Sequence, residues 1–202
     1  MSAKKGLLGW ISAFVGFDMV ILGALLVPQL QTSALDPQMV TGALTSLLTP
    51  PLLLLLSALF SPDFKASLAF WRVRWALPGH RAFSHYLRGD TRIDVAALGR
   101  RIGPFPSEPA AQNVEWYRIY RLHRTDEAVL DANRRFLLFR DLATVSALLA
   151  IGIPAALKLV GWGTAIAPAA AVFAVQYLLS AIAAQQTGIR FVRTVLAIES
   201  TS

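Results

Sequence analysis

Asp18 is the residue with the most chemical potential in this chain, because it interrupts an otherwise apolar run, 7–30, about 12 residues from its start. At 1.5 Å per residue that is roughly 18 Å along a helix, near the middle of a bilayer. A carboxyl at that depth is costly, and by default it marks a proton, ion or substrate site. The competing reading is structural: a buried Asp hydrogen-bonded between helices, holding a bundle in register. Other polar residues fall at similar depth. Thr45, Ser46 and Thr49 precede Pro50-Pro51 halfway along a second apolar run, and Gln176 and Tyr177 lie in the inner half of a fourth. Two prolines remove two backbone donors and should kink or break their helix. The freed carbonyls then need partners. They are either bound to an ion or substrate, as at broken transporter helices, or satisfied dryly by the hydroxyls of Thr45 and Thr49.

Gly9, Gly16 and Gly23 recur every seven residues in the first run, with Ser12 and Ala13 between them. Small residues on one face let helices approach closely. Asp18 lies roughly 200° around the helix from Gly16, so carboxyl and stripe address different neighbours. Away from the apolar runs, Arg118, Arg121 and Arg124 share one helical face. They are a solvated basic face, or a site for a phosphate-bearing ligand, lipid headgroups or a protein partner. Trp71 and Trp75 are candidates for a cytoplasmic contact with a ligand, lipid or partner. His80, His85, Asp90 and Asp94 are the only cluster with enzyme-like composition. Their spacing does not align metal ligands on a helix. No phosphate loop, nucleophile elbow or metal-protease pair is present. We therefore expect no catalytic residues, no metal and no cofactor. With zero Cys, disulfides and thiol chemistry are excluded.

Four apolar segments, about 7–30, 40–60, 142–159 and 164–184, must position these residues. Each meets or approaches the roughly 20 residues that span a bilayer. Fifty-five per cent apolar residues and a mean hydropathy of +0.52 exclude an ordinary soluble domain. Of the 19 basic residues, Lys4 and Lys5 precede the first segment, fourteen lie between Lys65 and Arg140, and Arg190 and Arg193 follow the fourth. Only Lys158 is left for the other face. By the positive-inside rule both termini and the long middle segment are cytoplasmic. A charge of +7 then reflects insertion and contact with anionic lipid, and no nucleic-acid partner is expected. A cleaved signal peptide is the weaker reading of the N-terminus, since the run is long and Asp18 interrupts it.

The expected fold is all-α and polytopic: a first transmembrane pair (1–61), a helical cytoplasmic insert (62–140), a second pair (141–187) and a short tail helix (188–202). Ser61-Pro62-Asp63 reads as a helix start. The spacing of Phe64, Leu68, Trp71 and Trp75 predicts an amphipathic helix, lying in the inner interface or packed on the rest of the insert, ended by Leu77-Pro78-Gly79. Ser107-Glu108-Pro109 opens a helix to about His123, with Trp116, Ile119, Tyr120 and His123 on one face. Asp126 opens another that runs without a stop signal into the third span, with Asp131 placed to pair with Arg135. Gly188 is expected to mark a break before the tail.

The stretches LPGHRAFSHYLRGDTRID, FPSEPAAQNVEWYRIYRLH and FLLFRDL have the density of family-specific motifs. On these residues the chain resembles small uncharacterised bacterial inner-membrane proteins of the same two-plus-two layout. That likeness implies a bacterial inner-membrane location and carries no residue roles. The layout and the carboxyl in the first span are also similar to small four-helix multidrug exporters. Those use a Glu, lack a long insert and have weak charge bias, and the chain departs on all three points.

The expected function is that of a non-enzymatic membrane component. Its insert binds a partner or ligand, and its spans assemble as a homo-oligomer or with other subunits. The alternative is an oligomeric pore, transporter or membrane-disrupting effector, as in stress or anti-phage defence, built on the polar midplane around Asp18. The third reading is a lipid-acting interfacial enzyme using His80, His85, Asp90 or Asp94.

Overall fold

Helix starts are set by local chemistry. Asp126, in extended backbone, accepts hydrogen bonds from the amides of Ala128 (2.8 Å) and Val129 (3.3 Å), and the helix it caps continues for 33 residues. Ser61 caps another through the amide of Phe64 (3.2 Å), with Pro62 at its first position. The computed structural model describes residues 7–32 and 37–202. It is helical, with no strand among the described residues. The helices are α1 (Leu7–Thr32), α2 (Pro37–Ala58), α3 (Pro62–Phe70), α4 (Val95–Ile102), α5 (Pro109–His123), α6 (Glu127–Leu159) and α7 (Gly163–Thr201). Single 3₁₀ and π turns occupy Pro78–Arg81 and Ala82–Tyr86.

Four helices contain stretches long and apolar enough to cross a membrane: Gly9–Val27, Thr41–Ala58, Glu127–Leu159 and Gly163–Thr201. α6 and α7 are much longer than a bilayer needs. At 1.5 Å per residue their 33 and 39 residues span about 50 and 58 Å. They pack on each other along this length and pass through two separate cores. The upper core joins Val15, Leu22 and Leu26 of α1 to Val145, Leu149 and Ile153 of α6 and Ala169 and Phe173 of α7. The lower core gathers Ala66 and Phe70 of α3, Leu98 of α4, Trp116 and Ile119 of α5, Phe136 of α6 and Phe191, Val195 and Leu196 of α7. Around the upper core the outward side chains are apolar: Phe17, Val20, Leu48, Leu55, Ile151 and Leu179 are all exposed. Polar Asp18, Thr144 and Ser146 are wholly buried there, an inversion of the water-soluble pattern.

Several elements differ from the sequence reading. α3 ends at Phe70 rather than near Leu77, so Trp71 and Trp75 do not continue its face. Trp71 adopts a left-handed conformation (φ 54°), its amide and that of Arg72 both returning to Ser67 O. This helix ending usually takes glycine. Trp71 holds it because its indole Nε1 donates to Tyr177 Oη (3.1 Å), which itself donates to Leu68 O (2.9 Å). Trp75 is also left-handed (φ 55°) and lies against the His80 ring, 5.1 Å between centroids. No break occurs at Gly188. It is buried inside α7, where a Cβ would stand 2.8 Å from Phe70 Cζ and 3.0 Å from Phe136 Cε2. The glycine admits two aromatic rings, and the expected tail is the lower half of the fourth long helix. α2 likewise runs unbroken through Pro50 and Pro51.

The glycine stripe of α1 is not a contact within the chain. A Cβ at Gly9, Gly16 or Gly23 would meet nothing within 4 Å. Close approach is made elsewhere, at Gly42 against Trp162 (3.1 Å) and Gly152 against Leu53 (2.7 Å).

Candidate functional site

α1, α6 and α7 pack together through the upper core, and that packing carries Asp18 to the α6–α7 seam. Its carboxyl is inaccessible to solvent. Gln176 Nε2 donates to Asp18 Oδ1 (2.8 Å) and lies 3.4 Å from Ser146 Oγ, with Ser146 Oγ 3.5 Å from Ser180 Oγ. A single hydrogen-bonded chain therefore links three helices across the apolar layer. Asp18 Oδ2 is buried with no hydrogen-bond partner among the described residues. The cluster combines a register lock with one spare carboxyl oxygen, a feature able to hold a proton or a cation.

The structure joins Asp18 to Gln176 as candidates of similar depth, but it does not bring Thr45 or Thr49 to them. Their hydroxyls donate to Thr41 O and Thr45 O, both at 2.8 Å, within α2. The carbonyls left without helical donors by Pro50 and Pro51 are four residues earlier, at 46 and 47, so the threonines do not satisfy them. Tyr177 faces α3 instead, through Leu68 and Trp71.

Charged residues close the apolar layer at the α3–α6 junction. Lys65 Nζ lies 3.3 Å from Asp141 Oδ1, which also accepts from Arg140 Nη2 (2.9 Å). Below it, Arg118 and Arg121 of α5 and Arg124 just after its end are exposed. Arg118 is bound to Glu115 (Nε to Oε1, 3.1 Å), which raises the guanidinium pKa further, and Arg121 stacks over the Tyr117 ring at 5.6 Å. Two of the three cations thus have intramolecular partners.

The histidines and aspartates of the enzyme reading do not converge. His80 Nδ1 lies 3.1 Å from Leu77 O, and His85 Nδ1 lies 2.9 Å from Ser84 Oγ. Asp94 caps α4 by accepting from the Ala97 amide (2.8 Å). Asp90 accepts from Arg92 Nη2 (2.7 Å), and this hydrogen-bonded pairing lowers its pKa from 3.8 to about 2. Among the described residues no group of three His, Cys, Asp or Glu side chains is placed to hold a metal.

Two polar junctions were missed from the sequence. Gln112, buried in the α5 stripe, accepts from the amides of Phe83 and Ser84 (both 3.1 Å) and donates to Ser107 O (2.8 Å). Gln112, Trp116 and Ile119 fall at i, i+4 and i+7 on one face, and a polar residue on that apolar face was the available signal. Glu199 accepts from His123 Nε2, and its backbone carbonyl accepts from Arg101 Nη1 (2.8 Å), which ties α4 and α5 to the end of α7. No family model matches this chain, and neither does any curated protein or solved structure.

Proposed function

We propose that this chain is a non-enzymatic integral membrane component. Its termini and the 62–140 region lie on the cytoplasmic side of a bacterial inner membrane, and its lower helical body is the docking face for a partner. The observation that carries this reading is the continuity of α6 and α7, which pass from the apolar layer into the body without interruption. A body built on the same helices as the membrane core is rigidly coupled to the spans and moves only with them, as an adaptor or subunit requires. The one-sided distribution of Lys and Arg supports the orientation. The outward apolar shell of α1, α2, α6 and α7 supports insertion. The open glycine stripe of α1, flanked by exposed Trp10 and Phe17, offers a face for a second copy or a partner helix.

Reporter fusions test the orientation: one after Gly103 should read cytoplasmic and one at Asp36 external, and the reverse pattern would overturn it. Native mass spectrometry after gentle purification then tests the component reading. It predicts a second protein or a fixed homo-oligomer, whereas a bare monomer from intact membranes would refute it.

A second reading, a pore or transporter, is favoured by one observation: the buried Oδ2 of Asp18 without a partner among the described residues. It predicts dye leakage or growth inhibition on expression that Asp18→Asn abolishes. Leakage identical in the two proteins would remove Asp18 from that role.

A further inference from the structure

A basic groove runs down one side of α6, across the boundary of the apolar layer. Its upper part, about 700 Å³, lies between the start of α1 and α6, with Leu7, Trp10, Leu138 and Leu142 among its walls. Its lower part, about 620 Å³, lies between α6 and α7. Asp131, Arg135 and Phe139 border both parts, so the two adjoin along α6. The α6 residues involved, 131, 135, 138, 139 and 142, fall at helical spacing on one face. The walls change character along the groove. Carbon dominates above Leu138; below it polar and apolar groups share the wall about equally, with Arg134 and Arg135 at the junction and Arg190 and Arg92 beyond.

These arginines are unequally paired. Arg135 Nε donates to Asp131 Oδ2 (2.8 Å), and Arg92 is held by Asp90. Arg134 Nε is buried and has no hydrogen-bond partner among the described residues. Arg190 is exposed and forms no ion pair among the described residues. Among the described lining residues Asp131 is the single carboxylate, against four arginines. Thr187 and Thr194, one turn either side of Arg190, add hydroxyls to the lower part. Planar guanidinium groups beside hydroxyls suit a phosphodiester, and the carbon-lined stretch directly above suits an acyl chain.

We infer that this groove is a specific site for an anionic phospholipid of the inner leaflet, with the phosphate among Arg134, Arg135 and Arg190 and the acyl chain along Trp10, Leu138 and Leu142. The level of the groove supports a lipid over a soluble phosphate: the change from a carbon wall to a mixed one occurs within two turns of the Lys65–Asp141–Arg140 cluster that closes the apolar layer. Basic pockets between helices at the cytoplasmic surface are suited to anionic headgroups. The site is distinct from Arg118, Arg121 and Arg124, and it rests on the proposed membrane insertion and orientation.

The test is native mass spectrometry of the detergent-purified full chain titrated with phosphatidylglycerol, phosphatidylcholine or inorganic phosphate. The wild type should retain a phosphatidylglycerol adduct with about tenfold preference over phosphatidylcholine. Arg134→Gln/Arg135→Gln/Arg190→Gln should abolish the preference. Arg118→Gln/Arg121→Gln/Arg124→Gln, which removes the same charge, should preserve it. Equal loss in the two triple variants would overturn the site in favour of general charge attraction. Displacement of the lipid by inorganic phosphate at similar concentration would overturn the lipid assignment. If the first triple variant does not fold, Arg190→Gln alone, at an exposed unpaired position, should weaken the adduct by about threefold. An unchanged adduct would refute the site. Carbonate extraction of the same membranes separates the two levels: a chain that washes off refutes membrane insertion, and an embedded chain without lipid preference refutes only the groove.

Discussion

Asp18 and Gln176 are best understood as a pair. Truncating either leaves the other's polar atoms buried in an apolar layer, and this is worse than removing both. Asp18→Leu and Gln176→Leu should each destabilise the fold. The double variant should be less unstable than the two losses combined, by about 0.5–2 kcal/mol of coupling. Thermal unfolding in one detergent measures this, and additive losses would show that the 2.8 Å contact contributes nothing. Asp90 makes a different prediction, below the apolar layer. Its pKa is lowered from 3.8 to about 2 by its bonds to Arg92, so the native state favours the ionised form. The stabilisation is fully present above about pH 4 and is lost as pH falls through 2. Asp90→Asn should therefore be less stable than wild type at pH 7, with the gap closing between pH 4 and 2. The exposed Arg92 keeps the effect small. A gap constant over that range would refute the pairing.

At the scale of elements, glycines show what was legible in the sequence. The heptad stripe at Gly9, Gly16 and Gly23 was conspicuous because it repeats, yet in the folded chain it faces outward. The glycines that matter for packing, Gly152 and Gly188, belong to no repeat. Their necessity lies in Leu53, Phe70 and Phe136, which come from distant parts of the chain. Gly188→Ala should destabilise by about 1–3 kcal/mol through overpacking. Phe70→Leu in the same chain should recover part of the loss. Gly16→Ala should be neutral or stabilising in an isolated protomer, by about 0.5–1 kcal/mol, because it removes backbone freedom at an open position. Melting temperatures of the two single variants compare them directly, and equal shifts would contradict the packing. Helix starts at Ser61 and Asp126 were readable because side-chain capping is local, and that at Pro109 because proline favours the first helical position. The end of α3 was not, because Trp71 is held by Tyr177, 106 residues away. Apolar spacing alone predicted a longer helix.

For the whole molecule, the four apolar runs and the long middle segment were visible from hydropathy. The joining of that segment to the C-terminal residues was not. Phe191, Val195 and Leu196 read as an amphipathic tail, but they are the floor of the lower core. Glu199 likewise gave no local sign of receiving His123 and Arg101. Amide hydrogen exchange should therefore find 188–198 as protected as 136–146 of α6, with no separately fraying tail. Fast exchange beyond Gly188 would favour the short-tail picture instead.

α7 also acts as a lever. With a fulcrum at Gln176, its far end near Thr201 is roughly 38 Å away at 1.5 Å per residue. A change in bilayer thickness is met by a change in helix tilt. With no hinge below the fulcrum, a ten-degree tilt carries that end through roughly 7 Å. α4 and α5 are fastened there through Glu199 and travel with it, so in the proposed membrane setting the hydrophobic thickness around the chain sets where its docking face points.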